Sequence, residues 1–366
     1  MSRVSIIIIS CLLFIVLCLG GFYFYLESEI QKPFQADNEE NITKTFKIEE
    51  KSGLREIAKN LKNEGLIKSD IAFVYYVLKN DKDHLKDGYY CLSPVMTISE
   101  IVETMEEEQL KEEIKITFPE GFRLSQIEER LENYFQQFST SNLQLSDFKT
   151  KNFKNQYGFL SDAPDEANLE GYLFPDTYLF YCFEPEVSCE SGKPVISKCG
   201  KGDLNAIVQK FLTNFDKKLT PELREEIQIQ GKSVFEIITM ASILEKEVQT
   251  PDDKKIVSGI FWKRIKDGIP LQSCATIAYV LNKGEWTFSE MQTAIAKNKD
   301  IESAYNTYKY KGLPIGPISN PGIDAIKAAI FPEFTDYNYF LTDPVSGKTI
   351  FSKTLEEHNQ NIVKYF

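Results

Sequence analysis

The first apolar run, Val4 to Leu26, contains no charged residue. At ~1.5 Å of rise per helical residue it is long enough to cross a bilayer core of roughly 30 Å. It ends in Phe22, Tyr23, Phe24 and Tyr25 without a small-residue cleavage site, so it reads as an uncleaved transmembrane helix. Polar residues 27–41, with Pro33, read as a linker. From 42 to 113 the spacing predicts a small α+β module. Thr45 to Glu49 alternates like a strand, and Leu54, Ile57, Ala58 and Leu61 recur at helical spacing. Ile71 to Leu78 is a second, aromatic-rich helix, Gly88 to Leu92 a short strand, and Ile98, Ile101, Val102 and Met105 a third helical stripe. Residues 114–366 read as one larger α+β domain, opening with a strand over Ile114 to Phe118 and a helix over Leu124 to Phe135. The dense aromatic stretch Leu169 to Tyr181 suits either a core or a sugar-binding groove. Leu204 to Phe215 is amphipathic. Lys232 to Gln249 follows, a helical run with too many apolar positions for a single stripe, and therefore a helix buried nearly all round.

Two later stretches break the periodicity. Leu271 to Leu281 sets Gln272, Ser273 and Thr276 among apolar residues. Ala304 to Gly322, AYNTYKYKGLPIGPISNPG, has three prolines and three glycines among Tyr, Asn and Thr, which makes it a shaped loop rather than a regular element. A loop of this length with no element of its own suits a binding role as well as a stiff connection.

Charge and cysteines narrow the setting. A net charge of −12 and the lack of any basic cluster argue against a nucleic-acid surface. Arg3 precedes the span while Glu27 and Glu29 follow it, which places Met1 in the cytoplasm and the bulk of the chain outside. Of seven cysteines, Cys11 and Cys18 fall inside the span. Cys182, Cys189 and Cys199 fall in a Gly/Ser/Pro-bearing surface loop, where a bridge, most simply Cys189 to Cys199, suits an oxidising compartment; Cys91 and Cys274 leave other pairings open. With His84 and His358 the only histidines, a His-rich metal site is excluded, and neither a metal nor a cofactor is expected.

The candidate chemistry lies at the end of the buried helix, in Glu245-Lys246-Glu247. A carboxyl at the edge of an apolar wall loses hydration and holds its proton to higher pH, as a general acid requires. The plainer reading of the same residues is a solvated helix end before Pro251. Helical phase does not choose between the two carboxylates: Glu247 stacks over Met240, Ile243 and Leu244, and Glu245 over Ile238, Ala241 and Ser242.

The ordered stretches LEGYLFPDTY, MASILEKE, LQS with TIAYVL, AYNTYKYKGLPIGPISNPG and SKTLEEHNQNIVKY closely resemble the YceG-like endolytic murein transglycosylases, over nearly the whole chain. The module at 42–113 resembles the LysM-like module that precedes certain wall enzymes. The resemblance implies that Glu247, the second Glu of the motif, is the catalytic residue and that 114–366 is the catalytic domain. It implies cleavage of the MurNAc-β-1,4-GlcNAc bond of nascent peptidoglycan strands without water, leaving 1,6-anhydroMurNAc ends, by a membrane-anchored enzyme working beside wall-synthesis enzymes such as penicillin-binding proteins. Glu245 is expected as a supporting charge, and Gln272, Tyr305, Asn306 and Thr307 as groups lining the sugar subsites. Two features depart from the family pattern. Cys274-Ala275 stands where the family has Asp-Pro, and residues 184–202 look like an insertion. Rival readings are a wall-binding protein that cuts nothing and a muramidase that hydrolyses.

Overall fold

A computed structural model of the chain describes residues 3–35, 43–82, 84–107, 110, 112–138, 144–190, 193–282 and 288–365. The fold is mixed α+β. The described chain begins with helix α1 (Arg3–Ile30), strand β1 (Lys44–Ile48), helices α2 (Leu54–Asn63) and α3 (Asp70–Lys79), strand β2 (Gly88–Leu92) and helix α4 (Ile98–Glu107). Next come β3 (Glu113–Thr117), α5 (Leu124–Tyr134), β4 (Phe135–Phe138), β5 (Thr177–Tyr181), β6 (Phe183–Glu190) and β7 (Lys193–Gly202). Helices then dominate: α6 (Leu204–Lys218), α7 (Pro221–Ile229), α8 (Val234–Glu247), α9 (Pro251–Lys266), α10 (Cys274–Val280), α11 (Phe288–Asn298) and α12 (Ile323–Ile330). The chain closes with β8 (Tyr339–Thr342), β9 (Thr349–Ser352) and α13 (Leu355–Tyr365).

The contacts divide the chain into two units, one of residues 1–114 and 181–201, the other of 115–180 and 202–366. In the first unit, Ile7 to Ile30 of α1 is long and apolar enough to cross a membrane, and fits a single-pass anchor. The helix does not stop at Leu26. Leu26 and Ile30, one turn apart, are buried in the core of the module, so the chain enters the folded unit as helix rather than as a linker. Of the segment read as a linker, residues 36–41 lie outside the described residues. β1 and β2 pair antiparallel, with Phe46 opposite Tyr90. The apolar positions of α2, α3 and α4 that recur at helical spacing close over these strands, burying Ile57, Leu61, Phe73, Val77, Ile101, Val102 and Met105.

Residues 181–201 group with this unit and form a hairpin rather than a surface loop. Its register pairs Cys189 with Pro194 and Cys199 with Pro185, so the two cysteines expected to bridge lie at different levels of the hairpin. Instead Cys182, just before β6, bridges Cys199, and Cys189 bridges Cys91 of β2. The hairpin also accepts a hydrogen bond from Thr45 Oγ1 at the Val187 carbonyl, 3.2 Å.

The second unit is built on α8. Its N-terminus is capped twice. Ser233 and Glu236 form a capping box, and the Asp162 carboxylate accepts from the Val234 and Phe235 amides at 2.6 and 3.3 Å. Every residue from Ile237 to Leu244 is buried, Thr239 and Ser242 included. Both hydroxyls bond inside the helix or to its neighbours: Thr239 Oγ1 donates to Phe235 O, and Ser242 Oγ accepts from the Ile318 amide at 3.0 Å. α12 and α9 pack along the helix. The aromatic stretch is core where it alternates inward: Tyr178 and Phe180 of β5 pack with Phe118 and Phe211, and Tyr172 with Phe159 and Phe215. Gly171, at φ 91°, sits where this stretch, α8 and the proline-rich loop converge. A Cβ there would lie 2.7 Å from Pro317 and 2.8 Å from Ile238, so only glycine permits the approach.

Candidate active site

α8 ends at Glu247, Val248 is extended, and Thr250 caps α9 with Pro251 in its first turn. The carboxyls at the end of α8 stand at the negative end of its helix dipole, which disfavours negative charge on them. The two carboxyls diverge. Glu245 bonds Lys254 Nζ at 2.8 Å and accepts from the Gly322 amide at 3.0 Å, in a nearly buried ion pair. No described contact joins it to Glu247.

Glu247 accepts the hydroxyl hydrogen of Ser273, and the Ala275 amide of α10 also bonds its carboxyl. The residue keeps some exposure at the surface, yet its carboxyl is desolvated by the packing around it. Burial raises its pKa, and the Ser273 and Ala275 bonds, with Arg264 nearby, oppose the rise. The result is a carboxyl that holds a proton more tightly than usual while fixed in one orientation. Cys274 stands between the two groups that bond Glu247, its thiol 3.1 Å from the Tyr308 hydroxyl and pushed up to about 12 by burial and by Glu247. The thiol is neutral.

The other residues expected at the site take different positions. Gln272 is exposed beside Ser273, with a left-handed backbone, φ 53°, and its amide donates to Thr307 O at 3.0 Å. A non-glycine residue held there is strained, and such strain gathers at functional sites. Tyr305 is half-buried, its ring 4.8 Å from that of Tyr279. Asn306 and Thr307 are each 1% exposed. The Asn306 amide donates to Lys299 O and Ile301 O at 2.9 Å, and its oxygen accepts from the Tyr308 and Lys309 amides. Thr307 Oγ1 accepts from the Ser273 amide at 3.1 Å and lies 2.9 Å from Thr276 Oγ1. Their polar atoms are spent on the loop and on the segment that carries Ser273. His358 stacks on Tyr339, 5.2 Å between ring centres.

Several side chains at this candidate site are not among those expected from the sequence. Ser273 is one, although its place among apolar neighbours was the available signal. Glu170, of the LEGY stretch, is another. It is buried, it accepts from the Leu124 amide at 3.0 Å, from Asn320 Nδ2 at 3.0 Å and from the Tyr279 hydroxyl at 3.5 Å, and burial pushes its pKa up to about 8. Asn320 in turn accepts from the Gly171 and Leu173 amides, so the two side chains tie three loops to α10. Glu170, Tyr279, Tyr305 and Arg123 line an open cleft of about 430 Å³, with the Arg123 guanidinium 5.3 Å from the centre of the Tyr279 ring. α10 links the cleft to the acid: its first turn bonds Glu247 and Tyr279 lies one turn further on.

The sequence model of the YceG-like family matches residues 46–364. The chain belongs to the YceG-like family. Among its relatives, a protein of Streptococcus pneumoniae (serotype 2, strain D39) described as an endolytic murein transglycosylase is 29% identical over 382 residues, covering 100% of this chain. The chain spans 66% of the length of that relative. A Bacillus subtilis (strain 168) protein of the same description is 31% identical over 360 residues, covering 95% of this chain and 91% of its own. The crystal structure of a YceG-like protein from Listeria monocytogenes, at 2.6 Å, superposes with a TM-score of 0.53 and 31% identity, covering 88% of this chain and 99% of that one.

Proposed function

We propose that this YceG-like chain is a peptidoglycan lytic transglycosylase that cuts the MurNAc-β-1,4-GlcNAc bond within nascent strands without water and leaves 1,6-anhydroMurNAc ends. The observation that carries this reading is the desolvated, doubly held carboxyl of Glu247 at the end of a buried helix, in a chain whose relatives are described as endolytic murein transglycosylases. Glu247, protonated, gives its proton to the glycosidic oxygen as the C1–O bond breaks. The carboxylate so formed takes the proton of the muramoyl C6 hydroxyl as that oxygen closes on C1. The acid is restored and no water is consumed. Ser273 and the Ala275 amide orient the carboxyl and stabilise its charged half of the cycle.

In this reading Tyr305 and the exposed Gln272 line the sugar subsites, whereas Asn306 and Thr307 serve by shaping the loop and holding Ser273. Glu245 supports Glu247 through the helix it anchors to Lys254 and Gly322. Residues 42–113 serve as a LysM-like module, a reading supported by the order strand, helix, helix, strand and the antiparallel β1–β2 pair; 114–366 is the catalytic part. α1 anchors the chain in the bacterial cell (inner) membrane with its N-terminus in the cytoplasm and the rest outside, where the two disulfides persist. That position would set it beside wall-synthesis enzymes such as penicillin-binding proteins. Mass spectrometry of digested, uncrosslinked glycan strands tests the reaction. Anhydro ends are expected; reducing ends would make the protein a muramidase, and intact strands a binding protein.

A further inference from the structure

Helix α3 is apolar on two faces. Ala72, Phe73 and Val77 are buried in the core of the first unit. Ile71, Val74, Tyr75 and Leu78 recur at i, i+3, i+4 and i+7, a second stripe on the outer side. Helix α1 covers the middle of that stripe. The Tyr23 ring meets the Tyr75 ring edge-on at 6.3 Å, the Tyr75 hydroxyl donates to Glu27 at 3.0 Å, and Lys79, ion-paired with Glu27, lies 5.6 Å from the Tyr23 ring. The two ends of the stripe stay bare: Ile71 is 57% exposed and Leu78 61%. Apolar side chains of this size are stabilised by leaving water, so a surface helix gains nothing from keeping both exposed.

Tyr23 belongs to the aromatic belt, Phe22 to Tyr25, at the outer end of the candidate span, the level of lipid headgroups. The residues that touch it share that level. Around α1 at that depth lies the boundary between headgroups and acyl chains, and the stripe of α3 meets α1 there through Tyr75. We propose that α3 is a membrane-surface helix: Ile71 and Leu78 enter the boundary region beside α1, and the first unit rests on the bilayer instead of hanging from it. The contact is continuous with the apolar surface of α1, and it rests on the reading of α1 as a membrane span. Lys79 suits the position, since its stem follows Tyr75 and Tyr23 while its ammonium reaches Glu27 and the headgroups.

The test uses the full chain in phosphatidylcholine–phosphatidylglycerol nanodiscs, with Cys11, Cys18 and Cys274 replaced by Ala. A fluorophore is placed in turn through Ile71→Cys, Leu78→Cys, Phe24→Cys and Lys59→Cys, and quenched either by bromine on the lipid chains or by aqueous iodide. Phe24, on the exposed surface of α1, reports the span, and Lys59, exposed on α2, reports water. The proposal predicts that probes at 71 and 78 lose most of their emission to brominated lipid, as at 24, and little to iodide, with the reverse at 59. Quenching at 24 by lipid but at 71 and 78 only by iodide overturns the proposal and leaves the span intact. Shielding of 71 and 78 from both quenchers, together with cross-linking between copies, overturns it in favour of a second copy of the chain. Iodide quenching at all four positions would remove the span itself and the proposal with it.

Discussion

Glu247 is made useful by its partners. The bond from Ser273 stabilises the charged carboxyl, so Ser273→Ala should raise the pKa of Glu247 further. A general acid is lost as pH rises through its pKa, and the alkaline limb of the kcat/KM profile should therefore move to higher pH. One hydrogen bond of ~1 kcal/mol corresponds to less than about one pH unit. A limb that moved down would show that Ser273 does not stabilise the carboxylate. Glu170 titrates in the same sense but bears on stability. Its folded pKa of about 8 lies above the value of an unfolded glutamate, so it costs nothing below the unfolded pKa and increasingly destabilises the fold as pH rises toward 8. Glu170→Gln removes that cost. The difference in unfolding free energy between variant and parent should shift toward the variant between about pH 4.5 and 8, by a few kcal/mol at most, in urea melts across that range. The EKE motif could be read in sequence as a candidate acid, but its two carboxyls could not be told apart by spacing. What separates them is tertiary: Lys254 and Gly322 engage one, Ser273 and Ala275 the other, and these partners arrive from three different segments.

Among the elements, α8 was legible because burial on all sides leaves an unbroken apolar run, and α2 to α4 because their stripes have a clean helical period. The hairpin β6–β7 was not. Its polar, Gly/Ser/Pro-bearing sequence lacks the alternation of a half-buried strand, and its place is fixed by disulfides whose pairing depends on a register that composition does not disclose. The bridge from Cys91 to Cys189 closes a loop of 98 residues, for which chain entropy suggests about 4–5 kcal/mol. Cys91→Ser with Cys189→Ser should lower the melting transition of the first unit while transitions reported from α8 stay put; equal loss in both units would contradict the division described here. At α10 the strained Gln272 offers a separate test. Gln272→Gly relieves a left-handed backbone worth about 1–2 kcal/mol, so thermal stability should hold or rise while turnover on glycan falls. A stable variant with unchanged KM and kcat would remove Gln272 from the sugar subsites.

For the molecule as a whole, the boundary between span and folded unit was the feature least visible in sequence. Glu27 and Glu29 look like the start of a polar linker, yet the helix carries Leu26 and Ile30 into the core on the face those glutamates leave free. Leu26→Ala with Ile30→Ala should therefore destabilise the first unit by about 2–5 kcal/mol per site, although both residues belong to the apparent anchor. Chemical denaturation of the full chain in detergent would read this, and an unchanged midpoint would mean that α1 is only a tether. Rigid continuity from span to fold also suits the proposed activity, which would be confined to a thin layer of new wall.

The central claim, that Glu247 alone carries both proton transfers, is tested most directly by Glu247→Gln, which keeps the side chain's shape and removes its acid–base chemistry. The purified variant and parent are compared on uncrosslinked glycan strands, with anhydro ends scored by mass spectrometry and folding checked by the melting transition. The expected result is a well-folded protein that still binds strands and whose cleavage falls by ~10⁴ or more, since one group serves both steps. Near-parental production of anhydro ends by that variant would contradict the account.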